Sequence, residues 1–304
     1  MNNTAFRAIL AAAMGLGTLS LALALQVPPE TPRIQSAAAI AAIAAPYVEA
    51  DAAIVYDVRD RKILFQKNAT AQMPLASITK VMTVMVASEV LDPNEIVTIP
   101  EEALWRDGES GLVAGASWHV RDLVDLVLII SSNDGAEALK LLSEERVASR
   151  YARAPKGGAF MWRMNERARE LGLEHTYFLD VTGLDKSPTM ASSYGTAFDI
   201  AKMIAAAGLE HETWFSGTAK DGLLIVPEDT TSITAENTNE ALDSISGLIA
   251  GKTGYTDLAQ GNLAIVFDAD LAHPIAVVVL HSSKAGRFSD VETLVSFVRN
   301  AAHQ

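Results

Sequence analysis

The stretch PLASITKVMT, residues 74–83, places Ser77 three residues before Lys80 at the start of an apolar run. Residues i and i+3 of a helix share a face, so a helix beginning here would make the hydroxyl and the amine neighbours. Ser77 is interpreted either as a helix cap followed by a surface lysine, since serine is a favoured N-cap, or as a nucleophile with Lys80 as its base. Helix N–H groups favour an oxyanion, and apolar neighbours would desolvate the lysine and lower its pKa. The spacing alone leaves both interpretations open.

The segments around this stretch predict where its helix lies in the fold. Before it, residues 52–57 and 62–66 are two β-rich runs around a charged turn, which predicts a hairpin. The helix itself is predicted over 77–90; more helical patterns follow, and the last third holds three β-rich runs and a final helix. Strands at both ends with helices between them indicate one α/β (α+β) domain whose first and last strands are neighbours. The basic stretch 145–160 is predicted to be a loop.

A polar break, SSNDGA at residues 131–136, separates two apolar helical patterns. Ser, Asn, Asp and Gly are turn formers, so one interpretation is a helix–helix turn in which Ser131 and Asn133 bond local backbone groups. In the other interpretation, these two side chains point into a cleft and offer a hydroxyl and an amide to a substrate. The segment by itself does not decide between the two.

Toward the C-terminus, GKTGYT at residues 251–256 lies in a predicted strand. Its glycines fit an ordinary hairpin turn, but a glycine inside a strand also marks close approach of a ligand to the backbone. Lys252 and Thr253 would then present a cation and a hydroxyl to an anionic group, and the strand edge would pair with an extended peptide.

The three stretches occur together in the order S-x-x-K, S-x-N and K-T-G, the motif set shared by penicillin-binding proteins and class A β-lactamases. Beyond the motifs, the sequence resembles the low-molecular-mass penicillin-binding proteins that are serine-type D-alanyl-D-alanine carboxypeptidases. The resemblance implies a β-lactamase-like serine acyltransferase fold: an antiparallel sheet flanked by helices, a separate helical lobe, and a cleft holding all three motifs. The similar segments cover most of residues 50–300 and are AAIVYDVRDRKILFQKNATAQMPLASITKVMT, VRDLVDLVLIISSNDGAEAL, MNERARELGLEHTYFLDVTGLD, ENTNEAL and GLIAGKTGYTDLAQGNLAIV.

The resemblance also implies a reaction. Ser77 would attack the carbonyl between two D-alanines of a peptidoglycan stem peptide, and Lys80 would take its proton. Ser131, with Asn133, would relay a proton to the departing D-alanine and hold the peptide. A nearby Lys252 would help to keep the first lysine neutral. Water would hydrolyse the acyl-enzyme without a cofactor or metal, and β-lactam antibiotics would be covalent inhibitors.

Substrate binding is implied for the C-terminal motif. Lys252 and Thr253, followed by Gly254, would bind the terminal carboxylate. The backbone N–H of Tyr255, with that of the nucleophile, would form the oxyanion hole. Arg287 matches a basic residue near the family's C-terminal helix, and it is either a second cation for the carboxylate or a solvated arginine in the region of that helix.

Three other functions are alternatives to this one. A class A β-lactamase has aspartate inside the second motif and a glutamate-bearing loop. Here Ser132 takes that place, no E-x-x-L-N follows, and Glu166 lies on an amphipathic helix, so slow release of penicillin is expected. A D,D-endopeptidase that cleaves peptidoglycan cross-links is the nearest alternative that remains open. A non-catalytic peptidoglycan-binding protein is an alternative of another class.

Composition argues against several further classes of protein. The chain has 304 residues, 49% of them hydrophobic, with 24 basic and 37 acidic side chains and a net charge of −13. That balance argues against a nucleic-acid-binding protein, which needs clustered Lys and Arg to neutralise phosphates. The chain contains no cysteine, and its six histidines lack metal-ligand spacing. Disulfides and a cysteine nucleophile are therefore excluded, and no metal site is expected.

The N-terminus carries a predicted export signal. Arg7 precedes an uncharged apolar run over 8–25, followed by a Pro-rich stretch. Residues 1–26 are therefore predicted to be a signal peptide or an N-terminal membrane anchor, 27–46 a linker, and 47–304 the carboxypeptidase catalytic domain. We expect an exported protein of the periplasm or the outer face of the cytoplasmic membrane, which contacts the membrane only through its N-terminal segment.

Overall fold

The structure is a computed structural model that describes residues 45–105 and 111–302. The predicted export segment (1–26) and all but the last two residues of the predicted linker (27–46) lie outside the described residues. Within the described ranges, no helix combines the length and the apolar character needed to cross a membrane. The same residues contain no cluster of three or more His, Cys, Asp or Glu arranged to hold a metal ion.

Strands are numbered β1–β12 and helices α1–α7 in chain order. The strands are Ala52–Asp57 (β1), Lys62–Lys67 (β2), Gln72–Pro74 (β3), Ile96–Thr98 (β4), Ser117–His119 (β5), Tyr177–Phe178 (β6), Ser193–Thr196 (β7), Gly222–Ile225 (β8), Ile233–Glu236 (β9), Leu248–Thr256 (β10), Gln260–Asp268 (β11) and Pro274–Ser282 (β12). The α-helices are Thr79–Ser88 (α1), Val120–Ile129 (α2), Asn133–Arg150 (α3), Ala159–Glu170 (α4), Ala197–Glu210 (α5), Glu212–Phe215 (α6) and Gly286–Ala302 (α7). Short 3₁₀ segments are Ala76–Ile78, Glu101–Trp105, Ser216–Ala219 and Leu242–Ser244.

The main sheet has five antiparallel strands in the order β10-β11-β12-β1-β2. β1 and β2 form the predicted hairpin. β1 also pairs with β12 along its whole length, from Ala52 opposite Leu280 to Asp57 opposite Ile275. The prediction that the first and last strands are neighbours is therefore confirmed.

Both faces of the three central strands, β11, β12 and β1, are buried, which explains why these strands are almost continuously apolar, whereas the edge strand β2 is partly exposed. In β1, Ile54 belongs to the larger hydrophobic core, together with Ile200 of α5, whereas Val55 belongs to a second core. Val291 and Leu294 of α7 are fully buried in that second core. Helices thus cover both faces of an antiparallel sheet, as the resemblance implies.

Helix α1 is the central helix of the helical lobe. Every residue from Thr79 to Ala87 is buried, and α2, α3 and α4 pack against it. An all-round buried helix is normally apolar, yet α1 also buries Thr79, Lys80 and Thr83. Such polar groups need partners inside the protein, and their partners define the site described below.

The N-terminal end of α1 differs from the prediction of a helix over 77–90. A 3₁₀ turn, Ala76–Ile78, comes first, and Ser77 is its middle residue. The N-cap positions of the turn and of α1 are held by Leu75 and Ile78, and neither makes a side-chain capping bond. The interpretation of Ser77 as the helix cap is therefore wrong.

The predicted loop over 145–160 is also shorter than expected. Helix α3 continues to Arg150 and α4 begins at Ala159. Val147 is fully buried, so the apolar face of α3 extends one turn further than the basic composition of the segment indicates.

Candidate active site

Ser77 and Lys80 are in contact at the start of α1. Lys80 Nζ donates a hydrogen bond to Ser77 Oγ at 2.8 Å. The same amine donates to Asn133 Oδ1 and to the backbone carbonyl of Thr182, each at 2.7 Å. Three acceptors on three separate segments therefore fix the amine against the serine.

The Lys80 side chain has no solvent exposure. Burial disfavours the charged ammonium and lowers the pKa of Lys80 to about 7, although the carboxylate of Asp180 acts in the opposite direction. At neutral pH, a large fraction of Lys80 is therefore a neutral amine that can accept a proton.

The break between α2 and α3 contains two adjacent serines with different partners. Ser132 is the N-cap of α3, and its Oγ accepts the backbone N–H of Gly135 at 2.9 Å. Ser131 has a φ of +66°, a left-handed conformation that is uncommon outside glycine. Its Oγ accepts a hydrogen bond from Lys252 Nζ at 2.9 Å. The helix–helix turn is present, but Ser131 bonds a distant strand instead of local backbone.

Strand β10 contributes the second lysine of the site. Lys252 is 1% exposed, and its Nζ donates to the Thr253 carbonyl at 3.0 Å as well as to Ser131. Thr253 Oγ1 lies 2.6 Å from Thr238 Oγ1, which in turn bonds the carbonyl of Ile129 at 3.1 Å. These bonds tie β10 to the end of α2.

Gly254 explains how β10 approaches the serine so closely. A Cβ atom at this position would lie 2.9 Å from the Leu75 carbonyl oxygen and 3.1 Å from the Ser77 backbone nitrogen. Any larger residue would push the strand and the 3₁₀ turn apart. The glycine is therefore required by close approach of two backbone segments.

The structure brings the three motifs together through three contacts. Lys80 joins the first motif to Asn133 of the second. Ser131 of the second accepts a bond from Lys252 of the third. Gly254 of the third packs directly against the turn that carries the serine.

The electrostatics of this region are dominated by buried cations. The pKa of Lys252 lies well below its ordinary value because of burial and, next, because of the positive charges of Lys80 and Arg287. Arg287 is 6% exposed and donates Nη1 to the Gly254 carbonyl at 2.8 Å. The interpretation of Arg287 as a solvated side chain is therefore wrong, because it is buried against β10.

Tyr255 differs from its neighbours in exposure. Its side chain is 41% exposed, and Lys284 Nζ lies 5.5 Å from the centre of its ring. The role predicted for Tyr255 concerns its backbone N–H, which follows Gly254 in the strand beside the serine.

Two polar groups of the site are not predicted by the sequence. The Thr182 carbonyl lies in the segment VTGLD, whose composition indicates a turn, but a carbonyl contact does not depend on the residue type. The Thr238 hydroxyl lies in the segment ENTNEAL. Both segments belong to the stretches that resemble the family, and this resemblance is the only signal for them.

Glu166 is engaged outside this cluster. It lies on α4, bonds Arg169 and has Arg153 at 3.8 Å. Both arginine side chains are largely exposed. The Glu166 side chain itself is 18% exposed, and its pairing with arginines gives no support to a deacylating glutamate.

Comparison with known proteins agrees with these motifs. The family described as D-alanyl-D-alanine carboxypeptidase, Peptidase S11, matches residues 39–283. The chain is 31% identical to D-alanyl-D-alanine carboxypeptidase DacF of Bacillus subtilis over 82% of its own length, and it spans only 62% of that relative. It is 26% identical to the D-alanyl-D-alanine endopeptidase of Escherichia coli, covering 92% of this chain and 86% of the relative.

A solved structure shows the same architecture. Penicillin-binding protein D2 from Listeria monocytogenes, in its ampicillin-bound form, superposes with a TM-score of 0.69 and 28% identity over 84% of this chain and 99% of the other. The helix-covered antiparallel sheet, the helical lobe and the three motifs are thus accompanied by a family match over most of the sequence. This chain belongs to the D-alanyl-D-alanine carboxypeptidase family, Peptidase S11.

Proposed function

We propose that this chain is a serine-type D-alanyl-D-alanine carboxypeptidase, which removes the terminal D-alanine from peptidoglycan stem peptides through an acyl-enzyme on Ser77. The observation that carries the proposal is the 2.8 Å contact between Ser77 Oγ and the amine of Lys80, a lysine without solvent exposure. Membership of the carboxypeptidase family supports the substrate class.

The partners of Lys80 favour proton transfer from the serine. A neutral amine has two hydrogens and one lone pair. Asn133 Oδ1 and the Thr182 carbonyl can only accept hydrogen bonds, so they use the two hydrogens. Ser77 is the one partner that can also donate, so in the neutral form its contact with Lys80 reverses and the Ser77 proton faces the lone pair. As Oγ attacks the carbonyl carbon of the penultimate D-alanine, that proton passes to Lys80.

The attack produces an oxyanion and a leaving amine. We assign the oxyanion to the backbone N–H groups of Ser77 and Tyr255, a contribution of roughly 3 kcal/mol per donor in comparable sites. Lys252 donates to Ser131 Oγ, which leaves the hydroxyl proton of Ser131 directed elsewhere. We assign that proton to the leaving nitrogen, so that the carbon–nitrogen bond breaks and D-alanine departs as a neutral amine. The proton that Lys80 took from Ser77 then passes to the Ser131 oxygen, which leaves Lys80 neutral again.

The terminal carboxylate of the substrate is assigned to the C-terminal motif. Lys252 and Thr253 supply a cation and a hydroxyl, and Arg287 adds a second buried cation behind β10. A carboxylate bound here would offset part of the desolvation free energy that burying these two positive charges costs. Water then attacks the acyl-enzyme carbonyl and Lys80 takes one of its protons. That proton passes to Ser77 Oγ as the ester bond breaks, so the serine is regenerated without a cofactor.

The same serine is proposed as the target of β-lactam antibiotics. Penicillin-binding protein D2 of Listeria monocytogenes, which shares this fold, holds ampicillin in its solved structure. Because this chain carries no E-x-x-L-N segment and Glu166 is paired with arginine, we expect acylation followed by slow release. Peptidoglycan lies outside the cytoplasm, so we also propose that the chain acts there after export.

Covalent labelling with a fluorescent penicillin tests the proposal. We expect one label per wild-type chain and none on Ser77→Ala. Release of D-alanine from a synthetic peptide ending in D-alanyl-D-alanine is expected from the wild type alone. An unlabelled wild-type protein that is folded by circular dichroism would exclude the acyl-enzyme and leave the non-catalytic, peptidoglycan-binding alternative.

The endopeptidase alternative is supported by the relative from Escherichia coli, whose name is D-alanyl-D-alanine endopeptidase and which this chain covers more fully than DacF. Both activities use the same acyl-enzyme, so labelling does not separate them. Purified cross-linked dimers and linear pentapeptides, offered at equal concentration, do. Faster loss of the pentapeptide supports the carboxypeptidase, and faster loss of the dimer supports the endopeptidase.

A further inference from the structure

The segment 180–183, between β6 and β7, touches α1 through its backbone carbonyls. The Thr182 carbonyl accepts from Lys80 Nζ at 2.7 Å. One turn further along α1, Thr83 Oγ1 donates to the Val181 carbonyl at 2.7 Å. Because both contacts use main-chain oxygens, their positions depend on how the backbone of this segment is folded.

The same segment presses against the turn that carries the serine. A Cβ atom at Gly183 would lie 1.9 Å from the carbonyl oxygen of Ala76 and 2.8 Å from Thr79 Oγ1. Gly183 also has a φ of +86°, a conformation that suits glycine. The segment therefore contacts both sides of the Ser77–Lys80 pair, and small movements of its backbone would move both groups.

A single carboxylate folds this backbone. Asp180 Oδ1 accepts the backbone N–H of Thr182 at 2.5 Å, the hydroxyl of Thr182, and the backbone N–H of Gly183 at 3.3 Å. Aspartate is well suited to such a turn, because its short side chain bonds main-chain groups two and three residues ahead. Thr182 is fully buried, so without this acceptor its N–H and hydroxyl would lose a partner away from water.

We infer that Asp180 is a positioning residue of the proposed reaction: its carboxylate folds the segment 180–183 so that the Thr182 carbonyl holds the Lys80 amine against Ser77. Asp180 is not bonded to Lys80 and acts through the backbone of Thr182. The inference rests on the proposed function, because it assigns a task in the activation of the serine.

The charge of Asp180 has a second, separable effect. In the residues that the structure describes, three charged groups surround the Lys80 amine. Asp180 lies on this segment, Lys252 lies on β10, and Arg287 is bonded to the Gly254 carbonyl of the same strand. The contact from α3 is the neutral amide of Asn133. Asp180 stabilises the ammonium form and so raises the pKa of Lys80 against the larger effect of burial. Removing only its charge would lower the pKa of Lys80 further.

Two substitutions separate the fold of the turn from its charge. Asp180→Asn keeps an oxygen that can accept the three bonds and removes the charge, whereas Asp180→Ala removes both. The matched control is Asp92→Ala, because Asp92 Oδ1 accepts the backbone N–H of Asn94 at 2.8 Å in an exposed turn beyond the far end of α1. The readout is the acylation rate by fluorescent penicillin, per titratable serine, from about pH 5 to about pH 9.

For Asp180→Ala, we expect the alkaline plateau of the acylation rate to fall on the order of 10- to 100-fold, as for a reacting group displaced by about 1 Å. For Asp180→Asn, we expect a plateau within about twofold of the wild type. The acid limb, where the rate falls because Lys80 becomes protonated, should lie at lower pH than in the wild type. Asp92→Ala should match the wild type in both. A purely structural role of Asp180 would lower the melting temperature and leave both features of the rate profile unchanged.

An alanine variant with the plateau of Asp92→Ala, or an asparagine variant whose plateau falls as far as that of the alanine variant, overturns the inference; an acid limb that stays in place contradicts only the separate charge effect. If Asp180→Ala does not fold, Asp180→Glu takes its place: it keeps the charge but displaces the acceptor oxygen, so its plateau should fall as expected for the alanine variant, and an unchanged plateau overturns the inference. Failure of the proposed function is distinct, since it appears as a wild-type protein that is not labelled. Labelled wild type with unlabelled Ser77→Ala leaves the proposed function standing whatever the Asp180 variants do.

Discussion

Ser131 and Ser132 are adjacent and chemically identical, yet they contact different parts of the molecule. Ser132 bonds the backbone of its own helix, through Gly135. Ser131, held in a left-handed conformation, reaches Lys252 on β10. The left-handed residue reverses the side-chain direction between the two positions, so one serine stabilises α3 and the other faces the cleft.

This division predicts opposite effects of two alanine substitutions. Ser131→Ala should lower the rate of D-alanine release on the order of 100-fold, the usual effect of losing a proton-transfer group, with little change in stability. Ser132→Ala should lower the free energy of unfolding by about 1 kcal/mol, the usual effect of losing a helix N-cap, with a much smaller effect on the rate. Urea denaturation and steady-state kinetics on both variants measure the two quantities.

The two variants serve as controls for each other, since each removes one hydroxyl from the same turn. The division of tasks is wrong if Ser132→Ala loses as much rate as Ser131→Ala. It is also wrong if Ser131→Ala loses the stability expected of a missing cap.

At the residue scale, the motifs predict side chains but not backbone partners. Ser77, Lys80, Ser131 and Lys252 were found because their chemistry depends on residue type and spacing. The Thr182 carbonyl was not found, since every residue type has a carbonyl. The burial of Arg287 could not be predicted either, because it depends on how the last helix sits against β10.

At the scale of elements, the site depends on how closely β10 approaches the 3₁₀ turn. Gly254 allows the approach because it has no Cβ. A Cβ at this position would meet the Leu75 carbonyl and the Ser77 backbone nitrogen. Gly251 lies on the same strand, but a Cβ there would meet the flexible side chain of Ile265 at 3.3 Å first. The two glycines differ in whether a rigid or a movable neighbour is in the way.

Gly254→Ala is therefore expected to separate β10 from the turn. Overpacking against backbone should cost about 1–3 kcal/mol of stability, and the acylation rate should fall by at least about tenfold because the oxyanion donors move apart. Gly251→Ala should be milder in both respects, because Ile265 can change its rotamer. Urea denaturation and penicillin acylation of the two variants, side by side, measure both effects.

A Gly254→Ala variant that acylates as fast as Gly251→Ala would show that close approach of the strand is unnecessary.

At this scale, the sequence predicted the hairpin of β1 and β2 within one residue. It misjudged the start of α1, because a 3₁₀ turn and a first α-helical turn share the same local pattern. The sequence also predicted a loop where the last turn of α3 lies. Burial of Val147 favours the helix there despite the basic residues around it.

At the scale of the whole molecule, the pairing of the first and last strands followed from the sequence, because apolar runs at both ends of the domain have to complete one sheet. The balance of buried charge did not follow from it. Lys80, Lys252 and Asp125 are each less than a tenth exposed. The first two serve the proposed reaction. Asp125, on α2, packs against the 3₁₀ segment of residues 216–219 and has no part in it.

Asp125 is the buried carboxylate for which a gain in stability is expected on substitution. In the described part of the chain it accepts no hydrogen bond, and its Oδ1 would lie 2.2 Å from a Cβ placed on Gly217. Burial is the main cause that raises the pKa of Asp125 to about 6 from 3.8, with Asp122 adding to it and Arg121 and Lys220 opposing. The folded state therefore holds its proton more tightly than the unfolded state.

The sign of the pH dependence follows from linkage. Above pH 6 the group is ionised in both states and the full penalty is present; as the pH falls toward 4, the folded state binds a proton first and the penalty disappears. Asp125→Asn should thus raise the free energy of unfolding on the order of 2 kcal/mol near pH 8. The difference from the wild type should shrink toward zero near pH 4.

Asp290 provides the opposite case for comparison. Its carboxylate is buried as well, but it accepts the backbone N–H groups of Glu49 and Ala50 and the hydroxyl of Ser282, at 2.7–2.8 Å. An asparagine has only one acceptor oxygen, so Asp290→Asn should lose about 1–3 kcal/mol at neutral pH. Urea denaturation of both variants and the wild type, near pH 8 and near pH 4, measures the contrast. If Asp125→Asn is destabilising near pH 8, the buried carboxylate has a stabilising partner, and the assignment of its raised pKa to burial is wrong.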